Sequence, residues 1–267
     1  MSAAWLEEQF SLEGKNVVIT GGAGVIAGAM AAACLGAGAR VALWGRTPEN
    51  LEEQKSKLNG GDSVLCVTSD LTSTVSAAEA LDKTIAYFGR VDALINAVGG
   101  SSVRTPFVDL SENDYSSVLN LNLVAGCVIP SQLVCRYWIR NSLSGAMLNI
   151  ASMASYVPLS GAMAYSAAKS AVINQTQALA CELAPENIRV NAIAPGFFLG
   201  KQNRRLLTNA DGSCTERGNN VLHHTPMKRF GQPAELGGAT VFLLSDSASF
   251  ITGVTLPVDG GYLCWNI

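Results

Sequence analysis

Short runs of Val, Ile, Leu and Ala recur along the chain, separated by longer stretches in which apolar positions repeat at helical spacing. The runs predict strands at Asn16–Thr20, Val41–Trp44, Val64–Thr68, Ala93–Asn96, Ala146–Ile150, Arg189–Ile193 and Val254–Val258. Between them the pattern predicts a Gly/Ala-rich helix to about Leu35, then helices over Pro48–Leu58, with proline at an early position, and Thr74–Phe88. Further helices are predicted over Glu112–Asn141, Ala162–Leu183 and Pro233–Leu244. Strands alternating with helices of this length imply a doubly wound parallel sheet of about seven strands, in one α/β domain spanning 1–267. The strands lack strict in–out alternation, which is what a sheet covered by helices on both faces requires.

One segment breaks the rhythm. Phe197–Arg229, before the last helix, is polar, contains Asp211-Gly212-Ser213 and carries Lys201, Arg204, Arg205, Arg217, Lys228 and Arg229. An excursion of that length inside a compact domain is expected to be a binding lid or a disordered insertion.

Composition narrows the function classes. Nearly half of the 267 residues are apolar and 15% are charged, enough for a sizeable core. The net charge of −3, with no basic block, argues against a nucleic-acid partner. Met1–Phe10 carries acids and Trp5 rather than a basic segment and an apolar run, so it does not read as a secretory signal. No run of apolar residues reads as a membrane span. The cysteines, Cys34, Cys66, Cys127, Cys135, Cys181, Cys214 and Cys264, are odd in number and form no Cys-x-x-Cys pair. Reduced thiols in a cytoplasmic protein are therefore expected. His223-His224 has no further ligand-type spacing around it, so no metal site is predicted.

Several positions carry chemistry. Tyr165 and Lys169 stand one helical turn apart on the same face, with Ser152 upstream, just after a strand. This supplies a proton donor, a cation that favours its phenolate and a hydroxyl to hold a carbonyl oxygen. Alone, a Tyr-x-x-x-Lys pair is only suggestive. Thr20-Gly21-Gly22-Ala23-Gly24 lies between the first strand and a helix, where backbone can approach a pyrophosphate, although a tight turn would use the same residues. At the end of the second strand Gly45 stands where an acid could meet an adenosine ribose, and Arg46 could meet a 2′-phosphate or simply be solvated. Asp70 and Leu71 could border the adenine, Asp70 being equally able to start a helix.

Taken together, the glycine turn, Asn96-Ala97-Val98-Gly99, Asn122, Ser152, Tyr165-x-x-x-Lys169 and Pro195-Gly196 resemble the short-chain dehydrogenase/reductase family in order and spacing, from Leu12 to Tyr262. The resemblance implies a Rossmann-like fold and a catalytic set of Asn122, Ser152, Tyr165 and Lys169, with Asn122 positioning a water that links Lys169 to solvent. It implies an NAD(P)(H) site formed by Thr20, Gly21, Gly24, Ile26, Arg46, Asp70, Leu71, Asn96, Ala97, Gly99, Tyr165, Lys169, Pro195, Gly196 and Phe198, with a lean to NADP from Gly45-Arg46. It also implies a homotetramer, for which the apolar tail Tyr262–Ile267 would suit a subunit contact. The chain departs from the family's glycine pattern, with Val25 and Ala27 at the second and third glycine positions.

A narrower likeness lies in the excursion. Asn191–Leu199, Gln202-Asn203-Arg204, Asp211-Gly212-Ser213, Thr215-Glu216-Arg217 and His224-Thr225-Pro226-Met227 resemble the short-chain-type fructuronate reductases (D-mannonate oxidoreductases). Members often carry Thr-Glu where this chain has Gly200-Lys201. A sugar-acid carboxylate needs a fixed cation, for which Arg204 is the first candidate and Arg205 or Lys201 the second; any one of them could equally be a solvated charge. His223 and His224 are expected to cap a helix rather than bond sugar hydroxyls. The competing expectations are a gluconate 5-dehydrogenase-like polyol or sugar-acid enzyme and a non-catalytic nucleotide-binding regulator.

Overall fold

A computed structural model of the chain describes residues 3–100, 103, 105–200 and 203–264. Seven strands, β1 (Asn16–Thr20), β2 (Arg40–Gly45), β3 (Val64–Thr68), β4 (Ala93–Asn96), β5 (Gly145–Ile150), β6 (Ile188–Pro195) and β7 (Thr255–Val258), form one sheet in the order β3-β2-β1-β4-β5-β6-β7. Every pairing is parallel. Successive residues of each inner strand enter opposite core layers. Val17 and Ile19 of β1, Leu43 of β2 and Ile95 of β4 face a layer closed by Met30, Leu51 and Leu243. Val18, Trp44 and Leu94 face a second layer with Leu81, Val134, Trp138 and Ala180. Both faces are apolar because both are covered, which explains the continuous apolar strand runs.

The first layer is supplied by helices α2 (Val25–Gly36) and α3 (Pro48–Leu58) and the last helix; the second by α4 (Thr74–Phe88) and the helices on either side of β5. A short helix α1 (Ala3–Phe10), absent from the sequence expectation, precedes β1. Its Phe10 ring lies 6.3 Å from Phe242, and the Ser247 hydroxyl donates to the Gln9 carbonyl at 3.0 Å.

The predicted helix Glu112–Asn141 is built in three parts: α5 (Glu112–Leu119), a wider π-helical stretch (Asn120–Val128) and α6 (Ile129–Arg140). Pro130, just after the π stretch, has no N–H to donate back into the ladder, and such widened turns concentrate at functional sites. By length and hydropathy Glu112–Arg140 could cross a membrane, contrary to the sequence expectation of no such run. Half of its most apolar stretch is buried in this fold, with Val134 and Trp138 in the second core layer, as in the core helix of a globular domain.

Gly126 lets this stretch approach the loop after β4. A Cβ there would lie 2.7 Å from the Val98 oxygen and 2.8 Å from that of Leu121. Gly238, in α10 (Gly237–Leu244), has open space instead. The same substitution should therefore act with opposite sign at the two sites. In urea unfolding, Gly126→Ala is expected to cost about 1–3 kcal/mol, whereas Gly238→Ala should gain roughly 0.5–1 kcal/mol.

Candidate active site

The C-terminal ends of β1 and β4 are neighbours at the point where strand order reverses, the place where open α/β sheets bind ligands. Gly21 takes φ +65°, and a Cβ on it would lie 3.1 Å from the Ala97 oxygen. Glycine thus allows the turn both its left-handed backbone and its approach to β4. Gly24 N–H donates to the Gly21 carbonyl at 2.8 Å, and Gly24 caps α2, whose Val25 start has no intrahelical partner for its first N–H groups. Val25 at a usual glycine position is accommodated half-exposed at this helix start, and Ala27 packs in the core.

From this turn a groove of about 580 Å³ runs past Gly45, Arg46, Asp70 and Leu71 to Ala97, Gly99 and Gly100. The Asp70 carboxylate is turned onto Thr72, accepting its N–H at 3.0 Å and its hydroxyl at 2.8 Å. These bonds, helped by the charge of Arg46, hold its pKa below the ordinary carboxylate value. The same Ala97, Gly99 and Gly100 also line a second, smaller cavity of about 230 Å³ that contains Ser152, Tyr165 and Lys169. A glycine cradle continuous with a proton-donor cavity fits a dinucleotide with its reactive ring at the inner end.

Ser152 follows β5 and begins a 3-10 turn, where its Oγ accepts from Ala154 N–H at 3.1 Å. Tyr165 and Lys169 lie in α7 (Met163–Leu183). Two serine bonds fasten the Ser152 turn to this helix: Ser155 Oγ donates to the Lys169 carbonyl at 2.7 Å, and Ser170 Oγ to the Ser155 carbonyl at 2.8 Å. Lys169 is 4% exposed. Its Nζ donates to the Ile150 carbonyl at 2.7 Å and sits 5.9 Å from the centre of the Tyr165 ring.

Asn122 is buried in the π stretch, and its side chain clamps the loop beneath the cavity. Its Oδ1 accepts from Gly100 N–H at 2.8 Å, while Nδ2 donates to the carbonyls of Gly100 at 2.8 Å and Val118 at 2.9 Å. Gly99 is wedged between this amide and the lysine, for a Cβ on it would lie 2.7 Å from Asn122 Oδ1 and 3.0 Å from Lys169 Nζ. Both side-chain ends of Asn122 thus bond to backbone.

Other expected site residues are placed as follows. Ile26, Pro195, Gly196 and Phe198 line the inner cavity. Thr20 and Asn96 do not line the groove or the cavity. Thr20 Oγ1 accepts from Ala97 N–H at 3.0 Å, tying the ends of β1 and β4 together. Asn96 is drawn into the core because its register partner across the sheet is Asn149. Its Nδ2 donates to Asn149 Oδ1 at 2.8 Å and Ser131 Oγ at 2.9 Å, and Asn149 Nδ2 donates to Thr176 Oγ1 at 2.9 Å.

The excursion after β6 folds into two short helices, α8 (Arg204–Leu207) and α9 (Glu216–His224). Arg204 and Arg205 are exposed and line neither cavity; Lys201 and Gln202 lie outside the described residues, as do Trp265, Asn266 and Ile267 of the tail. Arg217 lines the inner cavity, with Asn203, Leu206 and Leu207. Spacing along the lid does not show how its helices turn, so it could not tell that Arg217 rather than Arg204 would line this cavity. The one signal was the Thr215 helix cap, which fixes where α9 begins. His224 Nδ1 lies 2.8 Å from the Asn220 carbonyl in the last turn of α9, in keeping with a helix-end role. Among the described residues no group of three His, Cys, Asp or Glu could hold a metal ion.

The family model described as enoyl-(acyl carrier protein) reductase matches residues 21–263. An uncharacterized oxidoreductase, UxuB, of Bacillus subtilis (strain 168) is 38% identical over 272 residues, 96% of this chain and 97% of the relative. A candidate D-mannonate oxidoreductase from Haemophilus influenza, solved with bound NAD, is 33% identical with a TM-score of 0.89, covering 96% of this chain and 97% of that one. A candidate NAD(P)-dependent gluconate 5-dehydrogenase from Beutenbergia cavernae, with NADP at low occupancy, is 35% identical with a TM-score of 0.86, covering 96% and 99%.

Burial disfavours the ammonium form of Lys169 and lowers its pKa from the ordinary 10.5 to about 8. Between these values the unfolded chain holds a proton that the folded chain has lost, so this group makes unfolding costlier as pH rises. Below pH 8 both states are protonated and the burial penalty stands in full. Relative to Lys169→Met, the wild-type protein without cofactor should therefore gain stability from pH 7 to pH 10.5, by on the order of 3 kcal/mol. The other buried ionisable groups, thiols among them, are shared by the two proteins and largely cancel. Paired urea titrations across that range measure the difference; a gap that stays constant would mean the lysine is charged throughout.

Proposed function

The chain belongs to the short-chain dehydrogenase/reductase family, and on that premise we propose that it interconverts D-fructuronate and D-mannonate with NAD(P). It is an NAD(P)-dependent oxidoreductase, and only the substrate pair and the residue roles are the proposal. The observation that carries the substrate class is the lining of the inner cavity. Among the described residues no Asp or Glu lines the cavity around Ser152, Tyr165 and Lys169, so an acidic substrate meets no like charge from them. At about 230 Å³ the cavity is smaller than the pockets that hold drug-sized ligands, which suits a six-carbon acid better than a long acyl chain.

Gly21, Gly24, Arg46, Asp70, Leu71, Ala97 and Gly99 would hold the cofactor, which when bound supplies or accepts the hydride. Ser152 holds the substrate oxygen by a hydrogen bond. In reduction Tyr165 donates its phenolic proton to that oxygen, and in oxidation it takes the proton back. The Lys169 ammonium stabilises the negative charge left on the phenol oxygen. Asn122 acts indirectly, by pinning Gly100 and so the floor shared by the two cavities.

A second reading, a gluconate 5-dehydrogenase-like activity, is favoured by the likeness to the Beutenbergia protein. Initial rates with D-fructuronate, 5-ketogluconate and tagaturonate, each with NADH and NADPH, separate the two; a higher kcat/KM on 5-ketogluconate would displace the first. Tyr165→Phe should lower reduction by at least about 100-fold while NADH still binds, as followed by fluorescence titration. Retained turnover would remove Tyr165 from its role. Gly45 and Arg46 at the groove favour NADP, so Arg46→Ala should weaken NADPH roughly tenfold more than NADH.

A further inference from the structure

We infer that Arg217, the second residue of α9, receives the carboxylate of the substrate, an assignment that rests on the sugar-acid reading above. Arg217 is half-buried and lines the cavity that holds Ser152, Tyr165 and Lys169. Lys169, the other cation there, is committed to the Ile150 carbonyl. Several arginines elsewhere are engaged: Arg229 with Glu235 at 2.7 and 2.6 Å, Arg90 with Asp92, Arg40 with Asn16, and Arg189 with the carbonyls of Leu243 and Ser245. Among the described residues Arg217 has neither an ion pair nor a side-chain hydrogen bond. A half-buried guanidinium facing an acid-free cavity is under-satisfied, and its planar fork matches a carboxylate through two parallel bonds.

The backbone that carries Arg217 is fixed. Thr215 Oγ1 donates to the Leu206 carbonyl at 2.7 Å and accepts from Gly218 N–H at 3.0 Å. Thr215 N–H donates to the Leu207 carbonyl at 3.0 Å, so the first turn of α9 is fastened to α8 over the buried side chains of Leu207 and Val221. On the same side, Tyr262 stacks edge-on to Phe197 at 5.5 Å, and Phe197 also lines the cavity. The charge of Arg217 is felt at the Tyr262 hydroxyl, where it opposes the upward pull of burial on that pKa. The cation thus lies on the side of the cavity where Phe197 and Tyr262 stand, partly out of water, where an ion pair is stronger than at an open surface.

The test combines kinetics with binding. KM and kcat are measured for D-fructuronate and for its neutral counterpart D-fructose, and D-mannonate binding to the NADH-loaded enzyme is followed by calorimetry. Arg217→Ala should raise KM for D-fructuronate and the Kd of D-mannonate by on the order of 10- to 100-fold, with little change for D-fructose. Arg217→Lys should recover part of the loss, as a single point charge in place of the fork. NADH affinity reports folding, and Arg217→Gln carries the test if the alanine variant fails that check. An unchanged Kd for D-mannonate, or a larger effect from Arg204→Ala than from Arg217→Ala, overturns the assignment alone. Wild-type turnover of D-fructose as efficient as that of D-fructuronate sinks the sugar-acid reading and the arginine's role with it.

Discussion

The burial of one ammonium group organises the catalytic end of this molecule. Lys169 is held at the C-terminal edge of β5 by the Ile150 carbonyl, and burial alone draws its pKa down to about 8. A charge in that position costs free energy unless the surroundings satisfy it. Those surroundings are also the site. Gly99 has no side chain where one would meet Nζ, and the Tyr165 ring stands one helical turn away. The serine bonds between the Ser152 turn and α7 hold the hydroxyl and the phenol on a common frame. The destabilising group thus stands beside the phenol of Tyr165, as expected when a fold gives up stability for preorganisation.

Below that frame lies a second set of polar groups, bonded to one another rather than to the residues of the inner cavity. Asn96, Ser131, Asn149 and Thr176 join β4, α6, β5 and α7 through hydrogen bonds in the core, and Trp44 donates to Thr84 at 3.0 Å between β2 and α4. Buried polar bonds of this kind tolerate few alternative packings, so they fix the register of helices on the sheet. The π stretch does similar work from the other side, placing Asn122 where it can hold Gly100 by both ends of its amide. Scaffold precision and site geometry are therefore supplied by different residues. The lid adds a second cation to the cavity lining, Arg217, on a short two-helix unit that can vary without disturbing the sheet.

Most of the scaffold was legible in the chain itself. Alternating apolar runs and helical spacing place all seven strands, because burial on both faces writes a continuous apolar signal into each. The glycine turn and the Tyr165/Lys169 spacing are equally readable, since a positive φ and a shared helical face are local properties. Three features were not. Helix α1 is too short for a strong periodic signal, the π stretch looks like ordinary helix in composition, and Asn96 reads as a strand-end residue although its cross-strand partner draws it inward.

What the sequence determined by itself, then, was the order of elements, the glycine turn after β1 and the pairing of Tyr165 with Lys169 on one helical face, each set by contacts within a few residues. Only the tertiary structure decided which arginine lines the inner cavity, that Asn122 holds Gly100 with its side chain, and that the two cavities meet at Ala97 and Gly99. Those depend on distances between segments far apart in the chain. Such distances follow from how helices settle on the sheet, and no local spacing carries that information.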